Sequence, residues 1–314
     1  MSPRKVLITG GAGFLGAHLC TRLLREGSEV WCVDNLLTGH KNNIESLLNN
    51  PKFHFLQQDV TDVLRMDQPL DYVVHLASPA SPKDYLKYPI ETLRAGALGT
   101  YHLLELARQK RAIFLLASTS EVYGDPEIHP QPESYWGRVN PIGSRSVYVE
   151  AKRYAEALAS AFQRSYGLAV RIARIFNTYG PLMRPDDGRV VSNFCCQALQ
   201  GLPLTIYGDG TQTRSFCYAD DLIEGLHRLL HSEEEEPVNL GSPDEVTIVD
   251  LAKEIIELAG THSEIVFQSL PIEDPRRRCP EITRARKVLS WEPKIPLREG
   301  LQRTLDYFRT PKPR

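Results

Sequence analysis

Short apolar runs alternate with longer mixed segments through the first half of the chain. KVLIT (5–9), EVWCVD (29–34), FHFLQ (53–57), YVVHLA (72–77) and AIFLLA (112–117) are rich in branched or aromatic residues, and stretches of helical length separate them. Strands that alternate with helices build a parallel sheet covered on both faces, so the pattern predicts a doubly wound α/β fold. A helix from about Ser146 to Tyr166 and a sixth strand, VRIARIF (170–176), extend it. From Asn177 onward the composition shifts: YGPLMRPDDGR and YGDGTQTRSF are loop-rich, interrupted by helices near 191–200, 220–230 and 247–259. The expected organisation is a sheet domain over 1–177 and a smaller C-terminal, mainly substrate-binding domain over 178–314, with some later elements returning to the first sheet.

Composition narrows the function classes. The chain has 314 residues, 42% of them hydrophobic, and 37 basic against 39 acidic side chains. With a formal charge of −2 and no long basic stretch, the electrostatic footprint of a nucleic-acid or anionic-membrane binder is missing. SEEEE (232–236) reads as a solvated loop. No run approaches the roughly 18 apolar residues of a membrane span, and MSPRKVLITG lacks a signal-peptide pattern, so a cytoplasmic protein is expected. The six cysteines (Cys20, Cys32, Cys195, Cys196, Cys217, Cys279) have neither CxxC spacing nor partner histidines. They suggest buried reduced thiols, with no metal site and no disulfide framework.

The first strand runs into TGGAGFLGAHL, with Gly10, Gly13 and Gly16 in G-x-x-G-x-x-G spacing. Glycines there let the backbone turn sharply and approach a pyrophosphate, whose charge meets the free N–H groups opening the next helix. Such a triplet alone is a weak signal, with a structural turn as its alternative, but its place between a strand and a helix gives it a Rossmann context. Asp34 closes the second strand, 18 residues after Gly16, where a carboxylate accepts both ribose hydroxyls and repels a 2′-phosphate. NAD is therefore expected over NADP. Asp59–Val60 and Ala77–Ser78 close the third and fourth strands and fall on the cofactor rim, positions where plain strand-end capping is the alternative.

Tyr148 and Lys152 form Y-V-E-A-K on the Ser146–Tyr166 helix, and i, i+4 spacing puts both on one face. A tyrosine is a poor base at neutral pH, and a nearby ammonium favours the phenolate. On an isolated helix the pair would be ordinary surface. Here it follows a nucleotide-binding start and the loop STSEVYGDP (118–126), which crowds hydroxyls and a carboxylate at a strand end.

With Ser118, Thr119, Tyr148 and Lys152 in place, the chain resembles the extended short-chain dehydrogenase/reductase superfamily. HLASPASPKDY, STSEVYGDP, NPIGSRSVYVEAKRYAE, ARIFNTYGP, DGRVVSNF, YGDGTQTRSF and DPRRRCPEI extend the resemblance, in order, to the UDP-glucuronic acid decarboxylase family over roughly residues 5–308. It implies NAD-dependent decarboxylation of UDP-glucuronate to UDP-xylose through a 4-keto sugar, and a homodimer built from the helix near 90–109 and the Tyr148 helix. It also implies roles: Tyr148 as base at the sugar 4-hydroxyl, Lys152 on the nicotinamide ribose, Thr119 on that hydroxyl, Glu121 near C5, and Arg278 on the diphosphate or sugar. Phe14, Leu15, Asn35, Thr38, Gly39, Ser118 and Thr178 join the implied cofactor contacts, and Asn177, Arg189, Tyr207 and Arg214 the implied substrate contacts.

Loss of carbon dioxide from a β-keto acid needs no strong acid, because the electron pair spreads into the ketone. Related 4,6-dehydratases must expel water and usually place an Asp directly before the Glu of this loop; here that position is Ser120. For Glu121 itself, capping of the loop is the alternative reading. Gly96 stands where many relatives carry an Asn in N-x-x-G-T, and the choice of Arg278 over Arg276 or Arg277 rests on motif register. A UDP-sugar 4-epimerase shares fold, cofactor and Tyr–Lys pair but typically has a small or hydroxyl residue at position 121. A redox-sensing binding protein on this fold usually loses the Tyr or the Lys.

Overall fold

The computed structural model describes residues 3–269 and 277–310. The apolar runs become β1 (Lys5–Thr9), β2 (Glu29–Asp34), β3 (Phe53–Gln57), β4 (Tyr72–His75) and β5 (Ile113–Thr119). Helix α1 (Phe14–Arg25) joins β1 to β2. Between β4 and β5 lie α2 (Pro82–Lys87), α3 (Pro89–Arg94) and α4 (Thr100–Lys110), the last two joined by a π-helical turn at Ala95–Gly99. Helix α5 (Ser146–Tyr166) leads into β6 (Val170–Ile175). The later elements are β7 (Thr178–Tyr179), α6 (Val190–Leu199), β8 (Leu204–Tyr207), β9 (Thr213–Ser215), β10 (Cys217–Tyr218), α7 (Ala219–Leu230), β11 (Val238–Leu240), β12 (Glu245–Thr247), α8 (Ile248–Ala259), β13 (Ile265–Gln268), β14 (Arg277–Arg278), α9 (Thr283–Leu289) and α10 (Leu297–Arg309).

Seven strands form one parallel sheet in the order β11-β6-β5-β4-β1-β2-β3. Side chains alternate along a strand, so β1 sends Val6 and Ile8 to one face, with Leu19 and Leu23 of α1, and Leu7 to the other, with Leu103 of α4 and Phe162 of α5. Both faces are covered, as the continuous apolar runs require. The order reverses between β1 and β4, which opens a crevice at the carboxyl ends of the strands.

After Thr178 the chain divides its contributions. β11 pairs in register with β6, Val238 beside Ala173, and α7 packs its leucines into the α1 face, so this stretch returns to the main sheet. A separate core gathers Phe194 of α6, Ile206 of β8, Leu251 and Ile255 of α8, and Leu301 and Leu305 of α10. Beside it, β12, β9 and β14 make a small sheet in which Arg278 pairs with Arg214.

The helical stretch after β4 runs closer to α5 than an ordinary side chain permits. A Cβ on Gly96 would stand 2.6 Å from the Cβ of Ala151 and 2.8 Å from its carbonyl oxygen. No asparagine fits there without moving a helix, so the glycine is the condition of a backbone contact one residue before Lys152. Among the described residues, no helix is long and apolar enough to cross a membrane.

Candidate active site

The crevice is a cleft whose wall includes nearly all of the expected residues: Gly10, Gly13, Phe14, Leu15, Gly16, Asp34, Asn35, Thr38, Gly39, Asp59, Val60, Ala77, Ser78, Ser118, Thr119, Glu121, Tyr148, Lys152, Asn177, Thr178, Arg189 and Arg278. Tyr207 and Arg214 are not part of that wall. Tyr207 is 45% exposed at the end of β8. Arg214 is buried in the small sheet, where its Nη1 donates to the Thr213 carbonyl 2.8 Å away. Arg276 lies outside the described residues, and Arg277, on β14, is exposed.

The dinucleotide end is built by close approach. Gly10 has φ +71°, and a Cβ there would sit 2.7 Å from the backbone nitrogen of Ala77; one on Gly16 would run into the Gly10 carbonyl. Only glycine lets the β1 turn lie against the end of β4 in this way. Gly13 caps α1 without any side-chain hydrogen bond, so the helix presents bare backbone and its dipole to the cleft. Asp34 accepts from Leu36 N at 2.8 Å and Ala12 N at 3.0 Å, and burial pushes its carboxyl up from the usual value. A Cβ on Gly39 would be 2.8 Å from Asp34 Oδ1, so that glycine leaves room beside the carboxylate. Asn35 donates to Asp59 at 2.8 Å and ties the ends of β2 and β3 together. A diphosphate cradle, a buried carboxylate with space beside it and a bare helix start fit NAD.

The chemical end lies where β5 stops. Thr119 ends the strand in an extended conformation, and its Oγ1 accepts from Glu121 N at 3.2 Å, turning the chain into a short 3-10 helix over Ser120–Tyr123. Ser120 is buried. Glu121 Oε1 lies 3.2 Å from Nη2 of Arg145 and 3.5 Å from Nη1 of Arg278, with all three side chains largely enclosed. The carboxylate is thus an arginine partner as well as a loop residue.

Tyr148 and Lys152 share the inner face of α5, both buried, with Lys152 Nζ 5.9 Å from the tyrosine ring centroid. Nζ donates to the Ala117 carbonyl at 2.8 Å, and burial lowers its pKa to about 8. Tyr148 is pushed up to about 12, mainly by burial and then by Glu121, while the Thr119 hydroxyl and the charges of Arg189 and Arg278 pull the other way. Its ring stacks on that of Tyr85, centroids 5.2 Å apart and planes 4° from parallel. Ser118 donates to Glu156, and His75, at the end of β4, holds a hydrogen bond with Thr9 at 2.9 Å.

Several wall residues escape a motif reading. Asp84, Arg184 and Asp187 also line the cleft, and Tyr85 and Arg145 lie against it. Their segments, HLASPASPKDY, YGPLMRPDDGR and NPIGSRS, stand out in the sequence, but nothing in their spacing says which side chain turns inward.

Residues 6–241 match the model of the NAD dependent epimerase/dehydratase family. The chain is 52% identical over 306 residues to UDP-glucuronic acid decarboxylase 1 of Xenopus tropicalis, covering 98% of this chain and 72% of that protein. It is 50% identical over 309 residues to UDP-glucuronic acid decarboxylase 5 of Arabidopsis thaliana, covering 98% and 90%. Among solved structures, the Thermus thermophilus UDP-glucose 4-epimerase complex with NAD superposes with a TM-score of 0.87 at 31% identity, covering 97% of this chain and 99% of that one. Fold, dinucleotide cleft and likeness over nearly the whole length agree: the chain belongs to the NAD dependent epimerase/dehydratase family and, within it, to the UDP-glucuronic acid decarboxylases.

Proposed function

We infer that this protein converts UDP-glucuronate to UDP-xylose and carbon dioxide, with NAD regenerated in every cycle. The observation that carries the reading is the placement of Glu121, held by Arg145 and Arg278 in the same wall as Thr119 and Tyr148, with Ser120 in place of a dehydratase acid. The likeness to decarboxylases at about half identity supports it.

NAD, held by the glycine turn and Asp34, would supply the acceptor for the hydride at C4. Tyr148 takes the proton of the sugar 4-hydroxyl, and Thr119 holds that hydroxyl toward it. Lys152, fixed on the Ala117 carbonyl, binds the nicotinamide ribose and sets the tyrosine's surroundings. The 4-keto acid then loses carbon dioxide as its electron pair spreads into the ketone. Arg278 orients the substrate, and Glu121 governs water and proton movement at C5. Asn177 and Arg189, which line the same cleft, hold the nucleotide sugar. Tyr207, on β8, and Arg214, on β9, stand outside the cleft wall and are kept as substrate contacts on the motif alone.

The working unit is a cytoplasmic homodimer. Ile90, Leu98 and Tyr101 on the α3–α4 stretch and Tyr154 on α5 are 44–62% exposed on neighbouring helices, an apolar face suited to a second copy. The six free cysteines suit a reducing compartment.

Incubation with UDP-glucuronate and NAD tests the activity. Carbon dioxide and UDP-xylose are the expected products. Release of UDP-galacturonate without carbon dioxide would make the protein an epimerase.

A further inference from the structure

Segment Pro181–Asp187 is tied to the rest of the molecule at two points. At one His18 Nε2, on α1, donates to the Pro181 carbonyl at 2.9 Å. At the other, Arg184 places Nη2 between both oxygens of Asp84 on α2, at 2.8 and 2.6 Å, and extends Nη1 to the Thr38 carbonyl at 3.4 Å. One guanidinium thus joins its own segment to two others, 100 and 146 residues away. All three residues also line the cleft. A second, outer pair, Lys83 Nζ to Asp186 Oδ2 at 3.0 Å, runs beside it.

The two pairs differ in weight. Asp84 and Arg184 are 11% and 17% exposed, so their charge-assisted bonds are little screened, whereas Lys83 and Asp186 are 54% and 66% exposed and contribute little. Asp84 is also fixed from below, since its backbone N–H caps onto Ser81 Oγ at 3.2 Å. The inner pair is anchored on a rigid turn and bears on Thr38, in the loop that follows the ribose carboxylate Asp34.

We infer that the Arg184–Asp84–Thr38 link is a strap that retains the dinucleotide between turnovers. Thr38 stands on the same cleft wall as Asp34, and Asp84 and Arg184 line that cleft too, so in this account the link closes over the groove and a bound cofactor leaves when it opens. The inference rests on the decarboxylase reading for its purpose alone: a reaction without net redox change must get the same cofactor back in its starting state. Asp84 and Arg184 are positioning residues in this account, acting through the closure of the groove.

The test needs no sugar nucleotide, so it is independent of whether the decarboxylase reading holds. Protein loaded with NADH is mixed with excess NAD, and release is followed by the loss of bound nicotinamide fluorescence. Arg184→Met and Asp84→Asn should each speed release about tenfold or more, and the double variant should be no faster than either single, because both remove one link. Lys83→Met should release at the wild-type rate. Should Arg184→Met fail to fold, Arg184→Lys keeps the charge but cannot span Asp84 and Thr38 together, and it should release faster too. Wild-type release from the folded single variants would overturn the strap. So would fast release from Arg184→Met with none from Asp84→Asn, which would make Arg184 a direct phosphate ligand.

Discussion

Arg278 Nη1 lies 3.5 Å from Glu121 Oε1, and the two side chains are only 8% and 11% exposed. Arg145 holds the same oxygen from another side, so truncating Arg278 does not strand the carboxylate. Arg278→Ala should therefore leave the fold intact and raise the KM for UDP-glucuronate by about tenfold or more, the effect of losing a charge-assisted contact, with little change in the requirement for NAD. Steady-state kinetics in both ligands check this. Equal effects on both would point to a folding role.

Tyr148→Phe keeps the ring that stacks on Tyr85 and removes the hydroxyl alone. Turnover should fall by about two to four powers of ten while UDP-glucuronate still binds, as measured by calorimetry. Lys152→Met should also lower the NAD content of the purified protein. Near-normal turnover in the phenylalanine variant would remove Tyr148 from the chemistry.

Asp34 should set the choice between NAD and NADP. Its carboxylate is held by two backbone N–H groups at the end of β2, where the dinucleotide fold puts the adenosine ribose and a carboxylate repels a 2′-phosphate. Asp34→Ala should weaken NAD and narrow its advantage over NADP in a direct binding titration; unchanged discrimination would mean that another group makes the choice.

His75 should make the protein acid-labile. It is 1% exposed, and burial first, then the Lys152 charge, lower its pKa from 6.5 to about 3. The folded state keeps it neutral while the unfolded chain takes a proton below about pH 6.5, so this stability is whole above that pH and is lost as pH falls toward 3. Between pH 7 and 5 the wild type should lose about 2 kcal/mol relative to His75→Gln in urea unfolding. A pH-independent difference would contradict the neutral assignment.

How far the sequence carries can be seen at particular residues. The five apolar runs and the Tyr148 helix were legible because a strand buried on both faces has little choice of composition, and Gly10 and Asp34 because their spacing follows from strand and turn lengths. β11 was not. Three residues at Val238–Leu240 carry too little periodicity to be told from a loop, and they join the sheet only by pairing with β6. The helix expected near 90–109 is interrupted at Ala95–Gly99, where Gly96 meets Ala151, a contact fixed by two distant helices. In the site, motif residues could be named, but the partners that hold them were hidden. Arg184 finds Asp84 a hundred residues away, and Arg145 finds Glu121, through the fold alone. Tyr207 and Arg214 were named from a motif as well, and the fold sets them on β8 and β9, outside the cleft wall; a motif does not say which strand will carry its residues or which way they face.

The reaction is an ordered cycle, and isotopes report the order. In heavy water with UDP-glucuronate, C4 gives up its hydrogen and receives the same one back, while the enolate left by carbon dioxide takes its C5 hydrogen from solvent. UDP-xylose should carry one deuterium at C5 and none at C4, by NMR and mass spectrometry. Glu121→Gln should form this labelled product more slowly and accumulate the 4-keto sugar. Deuterium at C4, or a product that keeps its carboxylate, would contradict the account.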